Sequence, residues 1–242
     1  MKSLLVTEDY NSLSSAEDIR VVYDNTTDLV WIDTPQPLCG FVDLGLPSGL
    51  KWASCNVGAE KPEDFGLYFA WGETQGYSGI TLDKGFYWGD YKYSSGQTSS
   101  TSISFKGLTK YNTKSASGTV DNLTTLEQVD DAAYQSDNTC RMPTKADFEE
   151  LTANTTSVWE TLNGVNGRRF TSKTNGNSIF VPAAGYCYNG SVYFVGSGGY
   201  LWSSSLTESN PSYGWYLDFN SDYVGMFSNF RCVGLAVRAI KK

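Results

Sequence analysis

The sequence predicts an α+β fold, with about two helices packed on short antiparallel sheets and long loops between them. Three observations predict it. Two helix candidates lie together between residues 124 and 154, and strand-like segments then follow one another to the C-terminus. The 24 glycines and 16 tyrosines, set among many Ser, Thr and Asn residues, mark short strands and turns. No segment recurs with a period of 20–50 residues, so a solenoid or propeller is excluded. A chain of 242 residues with 40% hydrophobic content can build one large core, alone or with an appendage.

Residues 1–38 read as an N-terminal appendage or assembly segment, and residues 39–242 as the main domain. In "DIRVVYDNTTDLVWIDTPQP", Ile19–Tyr23 and Leu29–Ile32 are expected as two strands around a polar turn, ended by Pro35 and Pro37. A first hairpin of the main domain is the alternative. "FVDLGLPSGLKWASCNVG" reads as a hairpin turning at Leu46-Pro47-Ser48-Gly49. "EDFGLYFAWGET" is dense in aromatics and expected to be buried. Residues 74–120 are rich in Gly, Ser, Thr, Tyr and Lys and are expected as a loop excursion.

In "TTLEQVDDAAYQ", Leu126, Val129 and Ala133 share one helical face, with Thr125 and Gln128 as a capping box. In "CRMPTKADFEELTAN", Thr144 is the expected N-cap, Asp147 the N3 residue, and Phe148 and Leu151 the apolar face. After Asn154 the segments "GRRFTSKT", "NSIFVPAAGYCY", "SVYFVGSGGYLWSSSL", "GWYLDF", "YVGMF" and "GLAVRAI" read as strands.

Composition excludes several functions. A net charge of −8 and a pI near 4.6 argue against a nucleic-acid partner, which needs a basic face. There are 0 histidines, which removes Ser-His-Asp and Cys-His catalysis and any His-ligated zinc. The five cysteines, Cys39, Cys55, Cys140, Cys187 and Cys232, form no CxxC pair. They are expected as buried thiols rather than a disulfide framework. No metal ligand set and no cofactor motif stands out. "MKSLLVTEDYNSL" lacks the length and cleavage signature of a signal peptide, and no apolar run is long enough to enter a membrane. Action outside a cell is therefore expected by another route, such as release in a virus particle, or after loss of a leader.

The tail poses the sharpest question. In "YLDFNSDYVGMFSNFRC", Trp215, Leu217 and Phe219 alternate with Tyr216, Asp218 and Asn220 as in an ordinary strand. Beyond it, Tyr223, Gly225, Phe227, Ser228, Asn229, Phe230 and Cys232 share no size, charge or polarity. Fixed Trp, Leu and Phe would hold a core, while their neighbours stand on the outer face. Those neighbours are rich in Tyr, Ser, Asn, Gly and Asp, the composition of adaptable binding surfaces. Exposed Tyr223, Phe227 and Phe230 would suit a binding face better than an idle monomer.

Five blocks occur in order: "DLGLPSGLKWASCNVGAEKPEDFGLYFAWGET", "CRMPTKADFEEL", "NGNSIFVPAAGY", "GYLWSSSL" and "VRAI". Together, from about Phe41 to Ile240, they resemble a large domain family of gut Bacteroidetes and their phages. That resemblance implies a C-type lectin fold of the variety shared with formylglycine-generating enzymes. The tail resembles the variable region of proteins diversified by retroelements, in which a reverse transcriptase misreads template adenines. Template AAC and AAT codons can then reach most residues, but not Trp, Met, Lys, Glu or Gln. The resemblance marks a variable region of about 204–236. Its implied ligand-binding positions are Tyr213, Gly214, Tyr216, Asp218, Asn220, Tyr223, Gly225, Phe227, Ser228, Asn229, Phe230, Cys232, Val233, Leu235 and Ala236, all reachable by that rule.

The expected function is binding rather than catalysis. The paired cysteines of a formylglycine-generating enzyme are absent near the C-terminus, and fold alone carries no activity. The Glu-Pro-Asn and Trp-Asn-Asp triplets of calcium-dependent lectins are missing. The resemblance implies a receptor-binding protein at a phage tail-fibre tip that recognises a bacterial surface protein or glycan. Homotrimers are common in such arrangements and add avidity. A bacterial cell-surface adhesin, or an unvarying lectin-like carbohydrate-binding module, is the alternative.

Overall fold

The computed structural model describes residues 39–79, 83–95 and 105–242 in full, together with the backbone of three strands near the N-terminus. The chain divides into two compact units, Met1–Pro37 and Leu38–Lys242. In the first unit, β1 (Lys2–Leu5), β2 (Arg20–Asp24) and β3 (Leu29–Asp33) form one antiparallel sheet in the order β1-β3-β2. Two of these strands were expected from the sequence, and β1 was not. Ile19, Pro35, Pro37 and residues 25–28 of the turn lie outside the described residues.

The second unit opens with β4 (Phe41–Asp43) and β5 (Lys51–Ala53), the expected hairpin, and β6 (Tyr68–Phe69). Among the described residues of 74–120, the helical elements are short 3-10 turns at Trp88–Asp90 and Ser115–Ser117. The described part of the expected loop excursion is nevertheless no surface loop. Phe86, Trp88, Tyr91, Tyr93, Phe105, Leu108 and Tyr111 are all buried and make up much of the larger core. Aromatic burial supplies the energy that regular hydrogen bonding does not.

The first expected helix is displaced. Gln128–Asp130 is a 3-10 turn, and the α-helix α1 covers only Ala132–Ser136. Asp131 caps it, accepting from the backbone of Ala133 and Tyr134. Thr125 bridges to Ser205 instead of capping, and Val129 is 61% exposed. An Asp one residue before the apolar Ala-Ala pair is the stronger start signal on the chain, since its carboxylate takes two orphan N–H groups. The second helix, α2 (Lys145–Asn154), forms as expected. Thr144 and Asp147 make a reciprocal capping box, and Phe148 and Leu151 are buried.

After α2 come β7 (Thr155–Leu162), β8 (Val165–Ser172) and β9 (Ser178–Pro182), which form one antiparallel sheet. β7 was not anticipated. β10 (Tyr186–Tyr188) and β11 (Ser191–Tyr193) form a hairpin. β12 (Gly199–Leu206), β13 (Tyr213–Phe219), β14 (Val224–Phe230), β15 (Leu235–Ala236) and β16 (Ile240–Lys241) complete the chain. The central five-stranded sheet has the order β14-β13-β12-β15-β6 and is antiparallel except where β12 meets β15. β16 joins β5 and β4. The result is α+β: small, mostly antiparallel sheets with two helices.

Two cores flank the central sheet. One collects Trp71, Trp202, Tyr216 and the aromatics of residues 86–111. The other collects Trp52, Phe148, Leu151, Phe170, Leu217 and Phe219. β13 lies between them, so both of its faces are covered over most of its length. Cys39 and Cys55 are joined in a disulfide with Cα atoms 5.5 Å apart, while Cys140, Cys187 and Cys232 are free and buried. The expectation of five thiols is thus corrected for one pair. A turn at residues 45–49 brings two residues 16 apart within bonding reach, which spacing alone did not reveal.

Candidate ligand-binding face

β13 and β14 form a tight antiparallel hairpin in a register that sets Tyr216 opposite Phe227, Asp218 opposite Gly225, and Leu217 opposite Met226. Directly opposed residues share a face. One face therefore carries Trp215, Leu217 and Phe219 with Ser228, Met226 and Val224. It packs toward α2 and the β7–β9 sheet: Phe219 meets Phe170 at 6.4 Å and Trp159 at 6.5 Å. Leu217 and Phe219 are fully buried, as expected of scaffold. Trp215 is half-buried, and the Lys145 ammonium lies 4.9 Å from its ring centroid.

The other face carries Gly214, Tyr216 and Asp218 with Asn229, Phe227 and Gly225. The sequence expectation put all of these outside, and the structure divides them. Tyr223 and Phe227 are 40% and 46% exposed. Tyr213, Asn220, Gly225, Ser228, Asn229 and Phe230 are half-buried. Gly214, Tyr216, Asp218, Cys232, Val233, Leu235 and Ala236 are buried. The alternation failed on these seven because a second layer covers them. Trp202 packs on Tyr216 at 5.9 Å, and a Cβ on Gly214 would lie 2.7 Å from the Trp71 ring. The last four belong to the irregular return through β15, which is interior to the sheet. A Cβ on Gly225, by contrast, would meet only Phe227, at 3.4 Å.

The tip of the hairpin is clamped. Asn220 Oδ1 accepts from the backbone N–H groups of Asp222 and Tyr223 at 2.8 and 3.1 Å. The Arg168 guanidinium donates to the carbonyls of Asn220 and Ser221 at 2.9 and 3.1 Å. Asn220 thus spends its side-chain acceptor on the turn. Asn229 Oδ1 accepts from the Phe230 N–H at 2.8 Å. At the opposite end Tyr213 and Phe230 stack at 4.8 Å. A clamped tip holds Tyr223 and Phe227 ready and lowers the ordering cost of binding.

Below the exposed rings sits Asp218, 7% exposed. The Tyr216 hydroxyl donates to its Oδ2 at 3.3 Å, and its Oδ1 has no hydrogen-bond partner. Burial pushes the Asp218 carboxyl above the ordinary range, against the opposing pull of the Tyr223 and Tyr216 hydroxyls. Tyr200, its cross-strand neighbour, is pushed up to about 12, first by burial and then by the Asp218 charge. Sequence reasoning selected Asp218 but missed Tyr200. Its only signal was a place in "GYLWSSSL", ahead of the irregular tail.

Chemical options are few on this face. Burial raises the Cys140 and Cys187 thiols to about 11 and about 12, and Cys232 further still, so none is a ready thiolate. Among the described residues no group of three or more Cys, Asp or Glu is placed to hold a metal ion. No helix among the described residues is long and apolar enough to cross a membrane. Two clefts lie elsewhere, one between Phe65, Tyr68 and Val192, the other between Leu126, Cys140 and Lys241. None of the fifteen positions lines either cleft.

Comparison with curated proteins and comparison with solved structures each return no match. One family model does match. It covers residues 91–240, more than half of the chain, and runs from Tyr91 within the buried aromatic segment through β15. The chain belongs to the family described as a domain of unknown function, DUF8237.

Proposed function

We propose that this protein is a ligand-binding protein whose β13–β14 face attaches to a molecule on a bacterial surface. The fold in this reading is a C-type lectin fold of the formylglycine-generating-enzyme variety, and the setting is a phage tail-fibre tip. The observation that carries it is the exposure of Tyr223 and Phe227 on a clamped hairpin whose reverse face buries Leu217 and Phe219. Rigid aromatics presented at low entropy cost make good contact residues. The disulfide adds support, because such bonds persist where the surroundings are oxidising.

Burial narrows the set of positions free to vary. Tyr223, Gly225, Phe227 and Asn229 form the contact set, while Tyr213, Ser228 and Phe230 stand in the register of Trp215 and Asn220 holds the turn. Of the seven buried positions, Gly214, Cys232, Val233, Leu235 and Ala236 serve the fold, while Tyr216 and Asp218 lie beneath the exposed rings. Two measurements test the reading together. Phe227→Ala should leave stability within about 0.5 kcal/mol and lower adsorption to target cells at least about tenfold. Leu217→Ala should destabilise by about 2–5 kcal/mol. Equal adsorption by Phe227→Ala and the parent protein would sink the idea. Sequencing the gene in related isolates should find variation concentrated in the codons of the contact set. An unvarying tail would favour the alternative of a fixed lectin-like module.

A further inference from the structure

The exposed rings of the hairpin continue into a belt that the tail does not contain. Tyr186 stacks on Tyr193 at 5.4 Å and meets Phe194 at 5.9 Å. It also meets Tyr200 at 5.3 Å, and Tyr200 meets Tyr216 at 6.0 Å. Tyr216 reaches Phe227 at 6.5 Å, and Phe227 reaches Tyr223 at 5.8 Å. Phe194 is 58% exposed and has a φ of 57°, a region that bulky residues rarely adopt. Two backbone N–H groups, of Ser197 and Gly198, hold its carbonyl at 3.1 and 3.0 Å. The chain thus holds an apolar ring in solvent against its backbone preference, a pattern found at binding sites.

At the centre of this belt lies the Asp218 carboxylate, opposite Tyr200 across the β12–β13 ladder. Its Oδ1 lacks a hydrogen bond, and no lysine or arginine among the described residues neutralises it. The Tyr223 hydroxyl reaches the carboxylate from the exposed side. A buried charge with neither counter-ion nor full hydrogen bonding is costly, and a ligand supplying both would relieve it.

We propose that this belt binds the side-chain ammonium of a lysine presented by a partner protein, with Asp218 as its counter-charge. The unpartnered oxygen accepts a hydrogen bond and the carboxylate lacks a counter-ion, and a lysine ammonium supplies both where a quaternary ammonium supplies only the charge. The ring faces attract a cation, and the aliphatic stem of lysine can lie along the rings. A chain of net charge −8 favours a basic partner over an acidic one. A neutral sugar could stack on the same rings but would leave the charge unpaired. Entry of the ammonium requires the Tyr223 side chain, at the solvent edge, to give up its contact with the carboxylate. This inference rests on the reading of the β13–β14 face as the target-binding face.

The test is titration of the full chain with Nα-acetyl-lysine amide, its Nε-acetylated form, and methyl β-glucoside, followed by ligand-detected NMR. The charged probe should bind, and the two neutral probes should not. Asp218→Asn should weaken the charged probe at least about tenfold, the loss expected for a hydrogen bond to a charged group. The comparison of charged with acetylated probe uses the unaltered chain, so it stands even where the variant does not fold. Equal binding of the two lysine probes, preference for the glucoside, or no binding at all would overturn the inference. Cell adsorption by Phe227→Ala separates the two readings. Loss of adsorption without lysine preference removes only the ammonium site. Unchanged adsorption removes the binding face itself.

Discussion

Arg231 shows how a single residue organises this molecule. It is fully buried, and its guanidinium donates to the Tyr91 hydroxyl at 2.9 Å and to the carbonyls of Tyr111, Pro211 and Lys110, each at 3.0 Å. The Trp71 ring lies 4.8 Å from it. These contacts tie the irregular aromatic segment to the end of β14, so the tail returns to the core at a defined place. Asp130 does comparable work nearby. Burial alone would raise its carboxyl, but bonds from Lys110 at 2.6 Å, from Tyr93, from Lys92 at 2.9 Å and from Tyr111 at 2.7 Å hold it well below the ordinary range. A depressed carboxyl stabilises the fold above the unfolded pKa of about 4, and that stability drains away as pH falls through the folded value. Asp130→Asn should therefore cost on the order of 3 kcal/mol at pH 6. The gap from the parent should narrow as pH falls below about 4 and go on narrowing toward the folded value. Thermal melts of both proteins from about pH 6 down to about pH 2 would check it, and a gap independent of pH would contradict the assignment. The tail scaffold residues Leu217 and Phe219 were legible in the sequence because alternation is local. The burial of Tyr216 and Asp218 was not, because Trp202 and Tyr200 cover them from another strand.

At the scale of elements, α2 is the best specified. The Thr144 hydroxyl accepts from the Asp147 N–H at 3.2 Å while the Asp147 carboxylate accepts from the Thr144 N–H at 2.7 Å. Arg141 braces the same carboxylate at 2.6 Å. The box anchors a helix whose Phe148 packs on Trp52 at 5.2 Å, under the sheet that carries the candidate face. Thr144→Ala should lower stability by about 1 kcal/mol, and Thr144→Ser by less. Chemical denaturation of the two variants would measure this, and equal losses would show that packing rather than capping dominates. The first helix was misplaced because Thr125 and Gln128 offered a cap of the right spacing. Strand β12 took Thr125 first, through its bridge to Ser205. Tertiary pairing overrode a local signal, as it does when a cap candidate lies beside a sheet edge.

At the scale of the whole molecule, the disulfide Cys39–Cys55 ties the start of the second unit to the strand β5 hairpin region. Its loop spans 16 residues. Closing a loop of that size in the unfolded chain is worth about 3 kcal/mol. Cys39→Ser should lower the melting temperature of the second unit, and reduction of the parent protein should reproduce the shift. A melt insensitive to both would mean that the thiols are unpaired in solution. The matched family span of residues 91–240 includes both helices, the candidate face and the central strands β12 to β15, but leaves out β6 at the edge of the central sheet and β5, which pairs with β4 and with the last strand. The family region thus borrows its edge from the residues that precede it.

The sequence by itself determined the α+β class, the capped helix α2, most of the strands, and the alternation in β13 that buries Leu217 and Phe219. Each of these follows from spacing within a short segment. Only the tertiary structure decided which face of the hairpin meets water, and where. Burial depends on what a second layer brings up, and Trp71, Trp202 and Tyr200 come from distant parts of the chain. The same dependence linked Tyr186 and Phe194 to Phe227 through the rings of Tyr200 and Tyr216 and left one oxygen of Asp218 without a partner.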